Sequence, residues 1–139
     1  FKQKGIIGPS LADIRHAVIE IRKVKLPDPK VIASCGSFFK NPFISAADAE
    51  KLRTKHPNAV LFPAADGMYK AGAGSMIERV GLKGKDFGNL SIYPKNALVL
   101  INNGGATRAE VEAAAAFIIE KVRAEFGITL EPEPIFITT

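Results

Sequence analysis

Around Gly36 the chain reads Gly36-Ser37-Phe38-Phe39-Lys40-Asn41-Pro42, which sets a hydroxyl, an ammonium and a carboxamide close together at a glycine-enabled turn. Such a cluster suits recognition of an anion or a carbonyl group. The plainer reading is a turn joining two strands, with Phe38 and Phe39 divided between core and surface. A serine hydrolase is disfavoured, because no Gly-x-Ser-x-Gly elbow surrounds Ser37 and only His16 and His56 could act as a base.

A second group of charges, Arg22, Lys23, Lys25 and Lys30, brackets Leu26-Pro27-Asp28-Pro29. Cations at the end of a helix complement its dipole and stay hydrated, while the stiff proline segment would hold Lys25 in a defined place. Glu131 and Glu133 lie in a proline-interrupted extended segment, where alternation sends side chains two apart to the same face. Paired carboxylates could do acid-base work there, or charge and proline could protect an edge strand. Gly72-Ala73-Gly74-Ser75 precedes a helix but lacks the third glycine of a dinucleotide fingerprint and the Gly-Lys-Ser/Thr of a phosphate loop. Tight packing at a helix start accounts better for those glycines.

The elements that must position these groups belong to a chain of 139 residues with 47% hydrophobic and 24% charged content, the size and balance of one compact domain. Such a domain buries roughly 68 to 70% of the surface its unfolded chain exposes, so it needs neither disulfide nor structural metal. Cys35 is the single cysteine, which excludes an internal disulfide framework and a multi-cysteine zinc module and fits a reducing cytoplasm. Two histidines leave little for metal chemistry, and no metal site is expected. No apolar run reaches bilayer length, and Phe1 to Gly8 lack the charged start, apolar stretch and cleavage site of a secretory leader. The chain opens at Phe1 rather than Met, which favours a processed protein or a piece of a longer one. A net charge of +5 and a pI near 9.4 favour an anionic partner: nucleotide phosphates, nucleic acid or an acidic membrane surface.

Helical periodicity runs from Ser10 to Lys23, with Leu11, Ile14, Val18 and Ile21 on one face that should be buried, His16 pointing away from it, and Ser10 with Asp13 as a capping box. Val31 to Ser34 and Phe38 to Ile44 read as extended segments interrupted at Gly36-Ser37. Ser45 with Asp48 opens a helix to about Lys55 that Pro57-Asn58 ends. Ala59 to Phe62 and Met68 to Lys70 flank Asp66-Gly67 as a hairpin that Pro63 weakens, and Ala73 to Val80 is a short helix closed by Gly81. Leu90 to Tyr93 and Ala97 to Ile101 are strands. Thr107 with Glu110 caps a helix whose apolar face is Val111, Ala114, Ala115, Ile118 and Val122, and Gly127 closes it. Ile128 to Leu130 and Ile135 to Ile137 read as extended. The interleaving predicts an α+β fold, helices packed on a small mixed β-sheet, in a single domain over 1–139.

Five ordered segments resemble the C-terminal third of the UDP-N-acetylenolpyruvoylglucosamine reductase family. They are Lys25-Leu26-Pro27-Asp28-Pro29-Lys30, Gly36 to Pro42, Lys70-Ala71-Gly72-Ala73-Gly74-Ser75-Met76-Ile77-Glu78, Asn96-Ala97-Leu98-Val99-Leu100-Ile101-Asn102 and Leu130-Glu131-Pro132-Glu133. The resemblance covers Ser10 to Ile137, and the Lys-Leu-Pro-Asp-Pro element is similar to the family's type I branch.

The resemblance implies a cytoplasmic flavoenzyme of peptidoglycan precursor synthesis, in which NADPH reduces FAD and the reduced flavin reduces UDP-N-acetylglucosamine enolpyruvate to UDP-N-acetylmuramate. It implies that Ser37 is the proton donor and Glu133 the other catalytic residue, with Lys40 and Glu133 positioning the hydroxyl and balancing charge. It places Lys25, Asn41 and Asn96 at the UDP-sugar, with Lys25 at its diphosphate. The family's FAD-binding domains and its catalytic arginine lie upstream of what matches here, so the chain resembles a substrate-binding domain without its flavin platform, and no membrane or nucleic-acid partner is implied. Ser75 stands where a bulky aromatic is common, and Pro134 follows Glu133 where an apolar residue is more familiar. The rival reading is a stand-alone basic module that binds a nucleotide or nucleic acid without catalysis, and it rests on charge alone: zinc spacing, an RNA-recognition aromatic motif and a Trp platform are all missing.

Overall fold

A computed structural model describes residues 7–137. The stretch read for a secretory leader, Phe1 to Gly8, therefore lies outside the described residues except for Ile7 and Gly8. Helix α1 spans Leu11–Lys25, and its start is the capping box read from Ser10 and Asp13: the Asp13 N–H donates to Ser10 Oγ at 3.2 Å and the Ser10 N–H donates back to the Asp13 carboxylate at 2.9 Å. His16 is exposed as expected. The apolar face is not buried, however: Leu11 is 86% and Ile21 55% exposed, and no α1 residue enters the core. Periodicity reports which face a helix would bury but not what covers it.

Strands β1 (Ala33–Ser37) and β2 (Phe43–Ile44) lead to helix α2 (Ala46–Lys55), capped by Ser45. Then follow β3 (Leu61–Pro63), β4 (Tyr69–Ala71), helix α3 (Ala73–Arg79), β5 (Leu90–Ile92), β6 (Val99–Asn102) and helix α4 (Arg108–Phe126). The α+β reading holds, but in place of one mixed sheet the strands form two antiparallel three-stranded sheets, ordered β1-β6-β5 and β2-β4-β3. Gly36-Ser37 does not interrupt a strand. It lies inside β1 at a register shift between Ser34 and Ser37, where Gly36 takes φ +82°, the left-handed conformation such a bulge requires. Pro63 sits on β3, an edge strand, where a missing donor is tolerated. The segments 128–130 and 135–137 join neither sheet; near them only Phe39 and Pro132 form an isolated bridge. Pro132 and Pro134 supply no N–H for a ladder.

The core collects the predicted α4 face, Ala114, Ala115, Ile118 and Val122, against Ile77 of α3, Ile92 and Leu100. Phe38 and Phe39 are both buried, 3% and 2% exposed, with ring centroids 5.1 Å apart, rather than divided between core and surface. They lie just past β1, where strand alternation ends. The Phe38 N–H donates to the Leu98 carbonyl at 2.7 Å and the Phe38 carbonyl accepts from the Glu133 N–H at 2.9 Å, so chain covers this segment on both sides. The glycines at the start of α3 serve packing, as read: a Cβ on Gly72 would meet Val60 at 3.2 Å, and one on Gly74 would meet Leu98 Cγ at 3.0 Å.

Candidate substrate cleft

Ser37 ends β1, where it pairs with Val99 of β6. The following residues are laced to the segment around Pro132: the Lys40 N–H donates to the Glu131 carbonyl and the Glu133 N–H to the Phe38 carbonyl, each at 2.9 Å. This strap brings residues nearly a hundred positions apart to the mouth of one cleft of about 560 Å³, lined by Ser37, Lys40, Asn41, Lys70, Leu98 and Glu133 among others. The volume lies within the roughly 300 to 1,000 Å³ typical of small-molecule sites. Ser37 and Glu133 also line a smaller neighbouring hollow with Cys35 and Pro134.

The two glutamates both line the cleft, as alternation predicts, but their surroundings differ. Glu131 is held in an ion pair by Lys40. Glu133 has no ion pair among the described residues. Burial pushes the Cys35 thiol above its ordinary pKa, and the Glu133 carboxylate pushes it further the same way, so this thiol stays protonated and a weak nucleophile at neutral pH.

The remaining expected residues divide. Asn41 lines the cleft, and its side-chain oxygen accepts the Ala73 N–H at 2.9 Å, satisfying a donor at the start of α3. Asn96 lies in the turn between β5 and β6 and does not line the cleft; its side-chain oxygen accepts the Leu98 N–H at 3.1 Å, and Leu98 is the lining residue. Lys25 is the exposed last residue of α1 and does not line the cleft either. Its neighbours Arg22, Lys23, Leu26, Pro27 and Pro29 line a separate shallow hollow, and Pro27 is buried. Sequence reasoning missed Lys70 and Thr129 as lining residues. For Lys70 the available signal was its place in the third matching segment.

Among the described residues no three His, Cys, Asp or Glu gather as a metal site, and no helix is long and apolar enough to cross a membrane. The family model described as the C-terminal domain of UDP-N-acetylenolpyruvoylglucosamine reductase matches residues 28–137. A protein of Azoarcus sp. (strain BH72) named UDP-N-acetylenolpyruvoylglucosamine reductase is 49% identical over 134 residues, covering 96% of this chain and 39% of the relative. One of the same name from Pseudomonas aeruginosa is 47% identical over 133 residues, with the same two shares. A third, from Chromobacterium violaceum, is 43% identical over 133 residues, 96% of this chain and 39% of its own length. The chain thus spans about two fifths of the length of the curated relatives it matches.

Proposed function

The chain belongs to the UDP-N-acetylenolpyruvoylglucosamine reductase family through that family's C-terminal domain, and on that premise we propose that residues 1–139 form the substrate-binding domain of a cytoplasmic reductase that uses NADPH and FAD to convert UDP-N-acetylglucosamine enolpyruvate to UDP-N-acetylmuramate. The observation that carries this reading is the convergence of Ser37, Asn41 and Glu133, from separate segments, on one cleft.

The chain spans about two fifths of its relatives' length, and the flavin platform is assigned to the remainder. The one glycine-rich helix start is closed by Val60 and Leu98, which a Cβ on Gly72 or Gly74 would strike. FAD and NADPH are accordingly assigned to the longer polypeptide, and the hydride comes from there. This chain's residues bind the substrate and deliver the proton. Hydride addition to the enolpyruvyl double bond leaves enolate character on the carbon beside the carboxylate, a centre basic enough to take a proton from a hydroxyl. Ser37 is the donor; being neutral, it adds no competing charge. Glu133, which shares a neighbouring hollow with Ser37, is the second catalytic group, and the Lys40–Glu131 pair fixes the surrounding charge. Asn41 offers its amide nitrogen to the UDP-sugar, Asn96 acts there by holding Leu98, and Lys25 is assigned to the UDP-sugar on the family resemblance.

The rival reading of a basic nucleic-acid module draws no support from the cleft, and several cations, including Lys51, Arg108 and Arg123, are engaged with carboxylates on their own helices. The test is turnover: the full-length protein should oxidise NADPH beyond one equivalent per flavin only when UDP-N-acetylglucosamine enolpyruvate is present. A protein that does not reduce this enolpyruvyl ether would overturn the assignment.

A further inference from the structure

Phe117 stands on the outer side of α4, 38% exposed, and two ammonium groups share its ring: Lys121 Nζ lies 5.5 Å and Lys85 Nζ 5.8 Å from the ring centre. Lys85 Nζ also lies 5.7 Å from the centre of the Phe87 ring, which meets Phe117 edge-on at 5.7 Å. Both lysines are exposed, and neither forms an ion pair among the described residues. The carboxylates nearest to them in sequence are engaged elsewhere. Asp86 accepts the Gly88 N–H at 2.7 Å, Glu112 pairs with Arg108 at 2.7 Å, Glu120 pairs with Arg123 at 2.8 Å, and Glu125 faces His56 Nδ1 at 4.0 Å. An aromatic ring attracts a cation without cancelling its charge, so the patch keeps two positive charges together and uncompensated.

Backbone holds the patch from both sides. Phe117 and Lys121 are four residues apart on α4, which places them one above the other on a single face. Lys85 lies in the connection between α3 and β5, yet its N–H donates to the Leu82 carbonyl at 3.0 Å and its carbonyl accepts the Ile92 N–H at 2.9 Å. The side chains therefore start from fixed positions around an apolar centre, and none of them lines the substrate cleft.

A ring bordered by cations suits a partner that carries carboxylates around an apolar side chain, because apolar contact and charge complementarity then act together. A second copy of this chain meeting the patch face to face would oppose like charges. Single-stranded nucleic acid would need successive aromatic faces for its bases, whereas the other exposed phenylalanines among the described residues, Phe43 and Phe62, belong to the second sheet. We propose that Lys85, Phe117 and Lys121 form a docking surface for an acidic segment of another protein, which sets an apolar side chain against Phe117 and carboxylates on the two ammonium groups.

The experiment uses the full-length protein and two labelled octapeptides, one alternating glutamate with leucine and the other glutamate with glycine, beside an oligothymidine of the same length. Binding is read by fluorescence anisotropy at two salt concentrations. Lys85→Gln combined with Lys121→Gln should weaken both peptides by about 3- to 30-fold, the joint effect of two exposed charge contacts, and should flatten the salt dependence. The control pair Lys30→Gln with Lys95→Gln removes the same charge elsewhere and should change affinity by less than about twofold. Lys85→Arg with Lys121→Arg should keep most of the affinity. The leucine peptide should bind more tightly than the glycine peptide, and Phe117→Ser should abolish that difference while leaving the glycine peptide within about twofold. A loss in the Lys85 and Lys121 pair no greater than in the control pair would overturn the inference. So would equal affinity for the two peptides, absence of peptide binding, or tighter binding of the oligothymidine than of either peptide.

Discussion

The backbone N–H of Glu133 donates to the carbonyl oxygen of Phe38 at 2.9 Å, which fixes the cleft-lining carboxylate beside the residue that follows Ser37. Two residues assigned to one chemical step are thus joined, backbone to backbone, through Phe38. The spacing of their backbones depends on the strap and on the pairing of Ser37 with Val99.

In the full-length enzyme, Ser37→Ala should leave reduction of the flavin by NADPH intact and slow its reoxidation by substrate by about 10² to 10⁴, the span usual for general acid catalysis. Ser37→Cys, which keeps a donor at nearly the same place, should retain more activity. Rapid mixing of the two half-reactions reads this directly, and near-normal reoxidation in Ser37→Ala would remove Ser37 from the mechanism.

The two glutamates of the strap should separate kinetically. Glu133→Gln should lower kcat by at least about tenfold with a small change in KM, because among the described residues its carboxylate has no ion-pair partner to lose. Glu131→Gln breaks an exposed pair with Lys40, worth about 0 to 1 kcal/mol, and should alter stability and turnover only slightly. Equal losses in both variants would show that Glu133 matters only as part of the strap.

Acid should unfold the domain through its helix caps. Hydrogen bonds from Ser10, Ser45 and Thr107 hold the carboxyls of Asp13, Asp48 and Glu110 below their ordinary values of 3.8 for the aspartates and 4.5 for the glutamate. Each folded pKa lies below the unfolded one, so the stabilisation is complete above the unfolded value and is lost as pH falls through the folded one. Melting temperature should drop as pH is lowered from about 5, and Glu110→Gln should lower the plateau while making the acid slope shallower. Removing the hydroxyl of the same cap, Thr107→Ala, should cost about 1 kcal/mol near neutral pH, read by urea unfolding.

Gly74→Ala would gain up to about 1 kcal/mol of helix propensity in α3. Its Cβ, however, would lie 3.0 Å from Leu98 Cγ, a branch carbon that can retreat only if the whole side chain turns. Over-packing of this kind costs about 1 to 3 kcal/mol, so the variant should be less stable despite the better helix former. Because Leu98 lines the cleft, UDP affinity should fall as well; unchanged stability and affinity would show that the site yields freely.

The parts of the fold legible in the sequence are those whose causes are local. Ser10 with Asp13 and Thr107 with Glu110 form both halves of their capping boxes, and Gly127 closes α4 at φ +68°. The apolar stripe of α4 faces the core because that core is built within this chain. The stripe of α1 reads equally well and is exposed, since periodicity carries no information about a partner. The burial of both Phe38 and Phe39 was illegible for a related reason: what covers them arrives from Leu98 and from the strap at Pro132, far along the chain. Ser37, Asn41 and Glu133 could be named from their motifs. Lys70 stands in a matching segment too, but only the pairing of β4 with β2 and β3 brings it to the cleft.

Glu133 sits between two prolines and outside any sheet ladder. Each pyrrolidine ring fixes its own φ near −65°, in the unfolded chain as in the folded one, and proline also narrows the conformations open to the residue before it. Ordering this stretch therefore removes less conformational entropy than ordering an ordinary loop would, where each residue costs about 1 to 2 kcal/mol. The single bond from Glu133 to Phe38 is correspondingly more effective at holding it. The carboxylate rides on a tether that is already stiff, so substrate entering the cleft has little disorder left to remove from it.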